Sequence, residues 1–268
     1  MRLLEVISGR AVAPAAVQTV LTMSGVDSRQ IRKVDDVDEV QLLSAWSKNQ
    51  AVGIAQIYSP LMHDNQVAIR ARSLVADVRP WYVPERPQKV QPTDTLTMDL
   101  SGSAVGGDFE IMAALISYKG SVSMNSKFIT AAQLRELAVH ETSRETTHVS
   151  GVGGGYTGGV FLNSGAGVTK NDKYYALTGF KVNGLVTVVG YTSVDWGNVR
   201  LGGPGCPLHS EVASDWFVML AKKYDDALIP VFAGVNIGSL GVDVAADENA
   251  GTFIVNTFLT ELSGFPGV

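Results

Sequence analysis

Cysteine is almost missing from this chain. Cys206 stands alone among 268 residues, which excludes an intrachain disulfide and leaves packing, ions or assembly to hold the fold. Charge is also scarce. Lys and Arg number 21 against 26 Asp and Glu, for a net charge of −5, and 18% of residues are charged where ~25% is usual. A generic nucleic-acid binder is thereby excluded. The longest nearly apolar run, Ala227 to Val242, is interrupted by Pro230, Gly234, Asn236, Gly238 and Gly241 and falls short of the ~20 residues that span a bilayer as a helix. The first thirteen residues end in an Ala-x-Ala pattern, but Glu5 and Arg10 break the apolar stretch that an export signal needs. No Asn-x-Ser/Thr acceptor occurs. The expectation is a soluble, non-glycosylated protein.

Catalytic patterns are missing as well. Gly153-Gly154-Gly155-Tyr156-Thr157-Gly158 satisfies Gly-x-Gly-x-x-Gly by letter, yet no apolar strand precedes it and no helix pattern follows, so the structural context of a dinucleotide site is lacking. There is neither a Gly-x-Ser-x-Gly elbow nor a phosphate-binding Gly-Lys-Ser/Thr loop. His63, His140, His148 and His209 form no closely spaced metal-binding pair, and His140 and His148 read as solvated. Cys206 reads as an unreactive thiol. Two acidic runs, Asp35, Asp36, Asp38 and Glu39, and Asp243, Asp247 and Glu248, have the oxygen donors of a hard-cation site but read as solvated faces or turns. No catalytic, cofactor-binding or metal residue is assigned, no cofactor is expected, and the chain does not read as an enzyme.

What is present is β-chemistry. Apolar content of 46%, 28 glycines and many Val and Thr residues favour strands and tight turns. Strand patterns cover Gln66–Val78, Thr93–Leu100, Phe109–Tyr118, Tyr174–Phe180, Leu185–Tyr191 and Gly251–Leu262. Three segments read as helices. Thr130 to Glu141 opens with a capping box, Ser210 to Asp225 has an apolar face and ends in Lys222 and Lys223, and Asp38 to Asn49 carries Leu42, Leu43 and Trp46. Pro80, Pro84, Pro87 and Pro92 predict an extended passage outside any sheet. The glycine-rich segment 150–167 reads as a linker or surface loop.

A weak internal repeat organises these pieces. Asp94–Leu100, a Gly-rich turn and Gly107 to Gly120 correspond to Gly241–Val244, a polar turn and Gly251 to Gly264, at an offset of 144, which pairs Phe109 with Phe253. Pro60-Leu61 with His63 resembles Pro207-Leu208-His209, and Leu21–Gly25 resembles Leu177-Thr178-Gly179. A period this long points to a duplicated domain, not a solenoid. The expected fold class is all-β, two tandem eight-stranded jelly rolls (β-sandwiches) with a few short helices. The first roll is expected at 1–150, the linker at 151–167 and the second roll at 168–268.

Two segments carry a family resemblance. Leu21 through Val34, with Leu21-Thr22-Met23-Ser24-Gly25-Val26 and Gln30-Ile31-Arg32-Lys33, and Asp215-Trp216-Phe217 through Leu228-Ile229-Pro230-Val231-Phe232 resemble the double jelly-roll major capsid proteins of icosahedral phages with an internal membrane, most nearly the corticovirus type. The resemblance implies a structural protein of the virion, made in the host cytoplasm. It implies a homotrimer of pseudo-hexagonal outline that contacts neighbouring trimers and penton or minor capsid proteins. It also implies an internal lipid membrane at the shell base, with no direct nucleic-acid contact. The first thirty residues, with Arg2, Arg10 and Arg29 against Glu5 and Asp27, lack the basic arm that packaging by contact would need. The alternative is a secreted or surface jelly-roll carbohydrate-binding module using Trp46, Trp81, Tyr82, Trp196 or Trp216, of which Trp46 and Trp216 read as core.

Overall fold

The computed structural model describes residues 2–12, 19–20, 31, 39–48, 55–59, 61, 81–100, 109–120, 127–149, 156–162, 169–184, 186–205, 213–246 and 251–265. The first half contributes β1 (Arg2–Val12), β2 (Thr19–Val20), β3 (Glu39–Lys48), β4 (Ala55–Tyr58), β5 (Trp81–Tyr82), β6 (Gln88–Val90), β7 (Thr97–Leu100) and β8 (Phe109–Lys119). The second half begins with β9 (Phe128–Ile129), α1 (Ala131–Leu137), β10 (Ala138–Val149), β11 (Val160–Phe161), β12 (Tyr174–Val182), β13 (Val186–Thr192) and β14 (Leu201–Gly205). It continues through α2 (Trp216–Tyr224), β15 (Ile229–Ala233), β16 (Gly241–Ala245) and β17 (Thr252–Leu262).

Strand order shows the fold. In the second half one sheet runs β10-β17-β12-β15, extended by β9, and the facing sheet runs β11-β16-β13-β14. The first of these eight strands lies beside the last, the last beside the third, the second beside the seventh and the seventh beside the fourth. That is the jelly-roll pairing of two Greek keys. The first half repeats it, with β1-β8-β3 flanked by β5 and β6, and β2-β7-β4 opposite. A counterpart of β14 is not among the described residues of the first half. The fold is all-β, and the described residues form four antiparallel sheets and a few short helices.

The register makes the duplication specific. β8 and β17 each have 11 residues, so they align end to end at an offset of 143. β3 slips register against β8 between Leu42 and Ser44, and β12 slips against β17 between Leu177 and Gly179. These bulges fall opposite equivalent residues, Ile116 and Leu115 in the first half and Leu259 and Phe258 in the second. A bulge leaves one residue unpaired and bends its strand, so Leu43 and Thr178 are matched irregularities.

Several sequence expectations are corrected. The offset of 144 misses the strand register by one, and at 143 Phe253, which is buried, has Glu110 and not Phe109 as its counterpart; the Phe109 side chain lies outside the described residues. Leu177 to Gly179 belongs to β12, whose counterpart is β3, so its match to Leu21–Gly25 does not hold. Asp38–Asn49 is a strand, not a helix. The bulge at Leu43 puts Val40, Leu42 and Ala45 into one core and Leu43 and Trp46 into another, and this mixture of two- and three-residue steps mimics helical spacing. The proline-rich passage pairs with β3 through β5 and β6, as edge positions allow. The helix begun at Thr130 does form its capping box, with Gln133 N donating to Thr130 Oγ1 and Thr130 N donating to Gln133 Oε1, but it ends at Leu137. Beyond it Val139, Thr142, Thr146, Thr147 and Val149 favour extended backbone, and β10 pairs along its length with β17.

That pairing also moves the boundary expected at 150, because 138–149 belongs to the second roll. Residues 156–162, expected in the linker 151–167, are docked on the second roll. Tyr156 bridges Ala245, Thr157 N donates to Val244 O at 2.9 Å and β11 pairs with β16. The expected strand Gln66–Val78, the repeat elements Pro60, His63 and Pro207–His209, and 21–34 apart from the buried Ile31 lie outside the described residues.

The described residues form two apolar cores. The first fills the first roll with Leu3, Ile7, Leu42, Ile57, Met98, Met112 and Ile116. The second fills the second roll and continues onto the back of the first roll's β1-β8-β3 sheet through Leu4, Val6, Leu43, Trp46, Ile111, Ala113 and Leu115. The sheet of the first roll is therefore buried on both faces.

Candidate assembly surface

The covering of one sheet by the other roll is built chiefly from α2 and the β13-β14 edge. Trp46 meets Trp216 edge to face with centroids 6.0 Å apart, and its indole N–H donates to Thr187 O at 2.6 Å. Tyr224 places its hydroxyl 2.7 Å from Leu43 O and 3.0 Å from Pro84 O, Lys223 pairs with Glu85, and Val6 N donates to Arg200 O at 2.8 Å. The approach of α2 depends on missing side chains. A Cβ at Gly179, beside the bulge of β12, would lie 2.2 Å from Ser214 O, and one at Gly203 would lie 2.5 Å from the Trp216 indole nitrogen.

The equivalent face of the second roll, on β10-β17-β12, has a different composition. Where the first roll has Leu4, Val6, Ala113 and Trp46, the matched positions are Glu141, Ser143, Asn256 and Lys181, and where it has Ile111 and Leu115 they are Ile254 and Phe258. Glu141, Ser143, Glu145, Thr147 and Val149 point outward and are exposed, whereas Ile254, Asn256 and Phe258 are half-buried. Between α1 and α2 this face holds an open groove of about 660 Å³, with Phe258 and Val218 among its apolar lining and Arg135, Lys181, Lys222, Glu141 and Asp215 among its charges.

Buried polar groups in the second roll join its strands and turns. Arg200 donates from Nε and Nη2 to Asp243 Oδ2 at 3.2 and 3.0 Å, and its guanidinium lies 3.8 Å from the centre of the Tyr156 ring, a cation–π contact that pins the docked segment. Burial pushes the Asp243 carboxyl up, and Arg200 opposes that shift. Asp195 accepts from Ala233 N and Asn236 Nδ2 and pairs with Lys127, tying the turns at 194–196 and 234–239 together.

His148, expected to be solvated, is 1% exposed. Its strand alternation turns it inward from β10, where Nε2 lies 2.8 Å from Thr146 Oγ1 and Nδ1 lies 3.3 Å from Thr157 Oγ1. Desolvation lowers its pKa to about 4. The unfolded chain therefore binds the proton more tightly, and His148 costs stability as pH falls from about 6.5 to about 4. A loss on the order of 3 kcal/mol across that window follows from a shift of this size. Denaturant midpoints measured from pH 7 to pH 4 are expected to fall more steeply for the wild type than for His148→Gln; parallel slopes would refute the assignment.

Other residues singled out by sequence fall as follows. His140 is exposed, as expected, Glu39 forms a surface pair with Lys89 at 3.3 Å, and Asp243 is buried and ion-paired, not solvated. Asp35, Asp36, Asp38, Asp247, Glu248, His63, His209 and Cys206 lie outside the described residues. Among the described residues no three metal-ligating side chains cluster, and no helix is long and apolar enough to cross a membrane. Trp46, Trp196 and Trp216 are all buried, leaving none of the three as a sugar-stacking platform. The outer face of the second roll was not legible as a surface, because its only sequence signal is the loss of apolar residues at positions matched to Leu4, Val6 and Trp46.

No family model matches the chain, and no curated protein does. Among solved structures, the PBSX exported protein XepA has a TM-score of 0.27 at 10% identity, covering 96% of this chain and 86% of its own. The major capsid protein P2 from bacteriophage PM2 has a TM-score of 0.24 at 8% identity, covering 100% of both chains. BuGH86 in complex with neoagarooctaose has a TM-score of 0.20 at 10% identity, covering 98% of this chain and 33% of its own. The neighbours thus include a viral major capsid protein, but similarities this slight carry no argument about fold or function, and the jelly-roll assignment rests on strand order and register alone.

Proposed function

We propose that this is a non-enzymatic structural protein, a major capsid protein whose copies form homotrimers that tile an icosahedral shell over an internal lipid membrane. The observation that carries the proposal is the duplication. One chain supplies two jelly rolls, divided between Lys119 and Phe128, whose sheets share a strand order and a matched bulge. Three such chains supply six similar lobes, the number that a hexagonal tile requires. Low charge and a net of −5 suit a shell whose inner side meets lipid and not the genome. Neighbouring trimers and penton or minor capsid proteins complete the partners, and the virion is the location.

The carbohydrate-module alternative loses Trp196, which is buried along with Trp46 and Trp216, while the side chains of Trp81 and Tyr82 lie outside the described residues. Size-exclusion chromatography with light scattering at tens of micromolar tests the proposal. A mass of three chains that falls on dilution is expected, since subunits bind the folded form and shift its equilibrium by mass action. A monomer at that concentration would overturn it.

A further inference from the structure

We infer that Lys127, Asp195 and Asn236 are the parts of a self-forming isopeptide bond, in which the Asn236 side chain acylates the Lys127 amine while Asp195 moves the protons. The inference stands apart from the shell-forming proposal. Three separate segments meet at one carboxylate. Asp195 Oδ1 pairs with Lys127 Nζ and accepts from Asn236 Nδ2 at 3.1 Å, and Asp195 Oδ2 accepts from the same Nδ2 at 3.0 Å. A lysine and an aspartate alone make an ion pair; the amide held on the same carboxylate adds an acyl group that can be transferred. The residue following each member is apolar and buried, Phe128, Trp196 and Ile237, and the Asp195 side chain is 1% exposed, which keeps competing water out. The backbone around the trio is fixed as well. Val231 N donates to Lys127 O at 2.6 Å, β9 pairs with β15, Trp196 Nε1 donates to Val231 O at 2.9 Å, and Ala233 N donates to Asp195 Oδ2 at 3.1 Å. Groups held in this way react as if at a very high local concentration.

The step balances without an oxidant or a reductant. Asp195 takes a proton from the Lys127 ammonium, and the freed electron pair attacks Asn236 Cγ, as a lysine nucleophile activated by a neighbouring base does. The Nζ–Cγ bond forms and the Cγ–Nδ2 bond breaks. Both protons that Nζ loses pass through Asp195 to Nδ2, which leaves as ammonium, and Asp195 ends as the carboxylate it began as. The product is a secondary amide that ties the residue before β9 to the turn after β15. It restrains the unfolded chain as a disulfide across the same residues would, in a sequence whose single cysteine cannot form one within the chain.

Intact-mass spectrometry of the purified, denatured protein tests this, and its readout is the same for a monomer and a trimer. The wild type is expected to be lighter than its sequence by one ammonia, and its tryptic digest should contain a branched peptide joining Lys127 to Asn236. Lys127→Arg keeps the cation but cannot lose its proton to become a nucleophile, and Asp195→Asn keeps the shape but not the proton carrier. Both variants should have the full sequence mass. A wild type of full mass, whose digest returns Lys127 and Asn236 on separate peptides, would overturn the inference whether or not the variants fold. So would a branched peptide that persists in Asp195→Asn, or the loss of one water with Lys127 joined to Asp195 instead.

Discussion

Trp46→Ala is expected to cost about 3–5 kcal/mol, the range for removing a large buried side chain from a packed core. The indole is fully buried between the rolls, stacks edge-on against Trp216 and donates to Thr187 O. Alanine removes the ring and leaves a cavity at the centre of the intrachain contact, and the Thr187 carbonyl loses its donor. Urea unfolding followed by far-ultraviolet circular dichroism measures the loss. Because Trp46 belongs to the core that both rolls share, the variant should also split one transition into two. A single transition shifted by less than about 1 kcal/mol would mean that the rolls do not rely on this contact.

Arg200→Ala is expected to be comparably damaging, near 3 kcal/mol, because it strips a buried carboxylate of its partner. Asp243 is 6% exposed, and its Oδ1 accepts no hydrogen bond among the described residues, so both Arg200 donations fall on Oδ2. Loss of the guanidinium also removes the contact that holds Tyr156 and the docked segment against β16. The double variant Arg200→Ala with Asp243→Asn should recover much of the stability, since the unpaired charge is gone. Limited proteolysis near residues 151–159 should accelerate in the single variant. Equal stability of the single and double variants would show that the pair is not a source of cost.

The strands with clean alternation were legible from sequence. Leu96 and Met98 are buried while Thr95 is exposed, and β12, β13 and β17 lie where their apolar spacing placed them. The helix and strand expected at Asp215–Phe232 form as α2 and β15. What misled was tertiary. β3 is buried on both faces and bulged, so neither period applies to it, and β10 looked helical near its capped start until its pairing with β17 was visible. His148 gave no local sign of burial, because the Thr157 that meets it comes from a segment whose glycines suggest a loop. The duplication was legible in outline, but its offset was misread by one residue, which in a strand exchanges the inward and outward faces.

The two halves are one fold repeated, with the same strand order and a matched bulge. A crystal structure of the purified protein, with the halves superposed by aligning β8 on β17 at an offset of 143, tests this repetition most directly. β1, β3 and β7 are then expected to fall on β10, β12 and β16, with Leu43 and Thr178 coinciding as the bulged residues. A first half in which β8 does not lie between β1 and β3, or in which β3 runs without a bulge at Leu43, would contradict it.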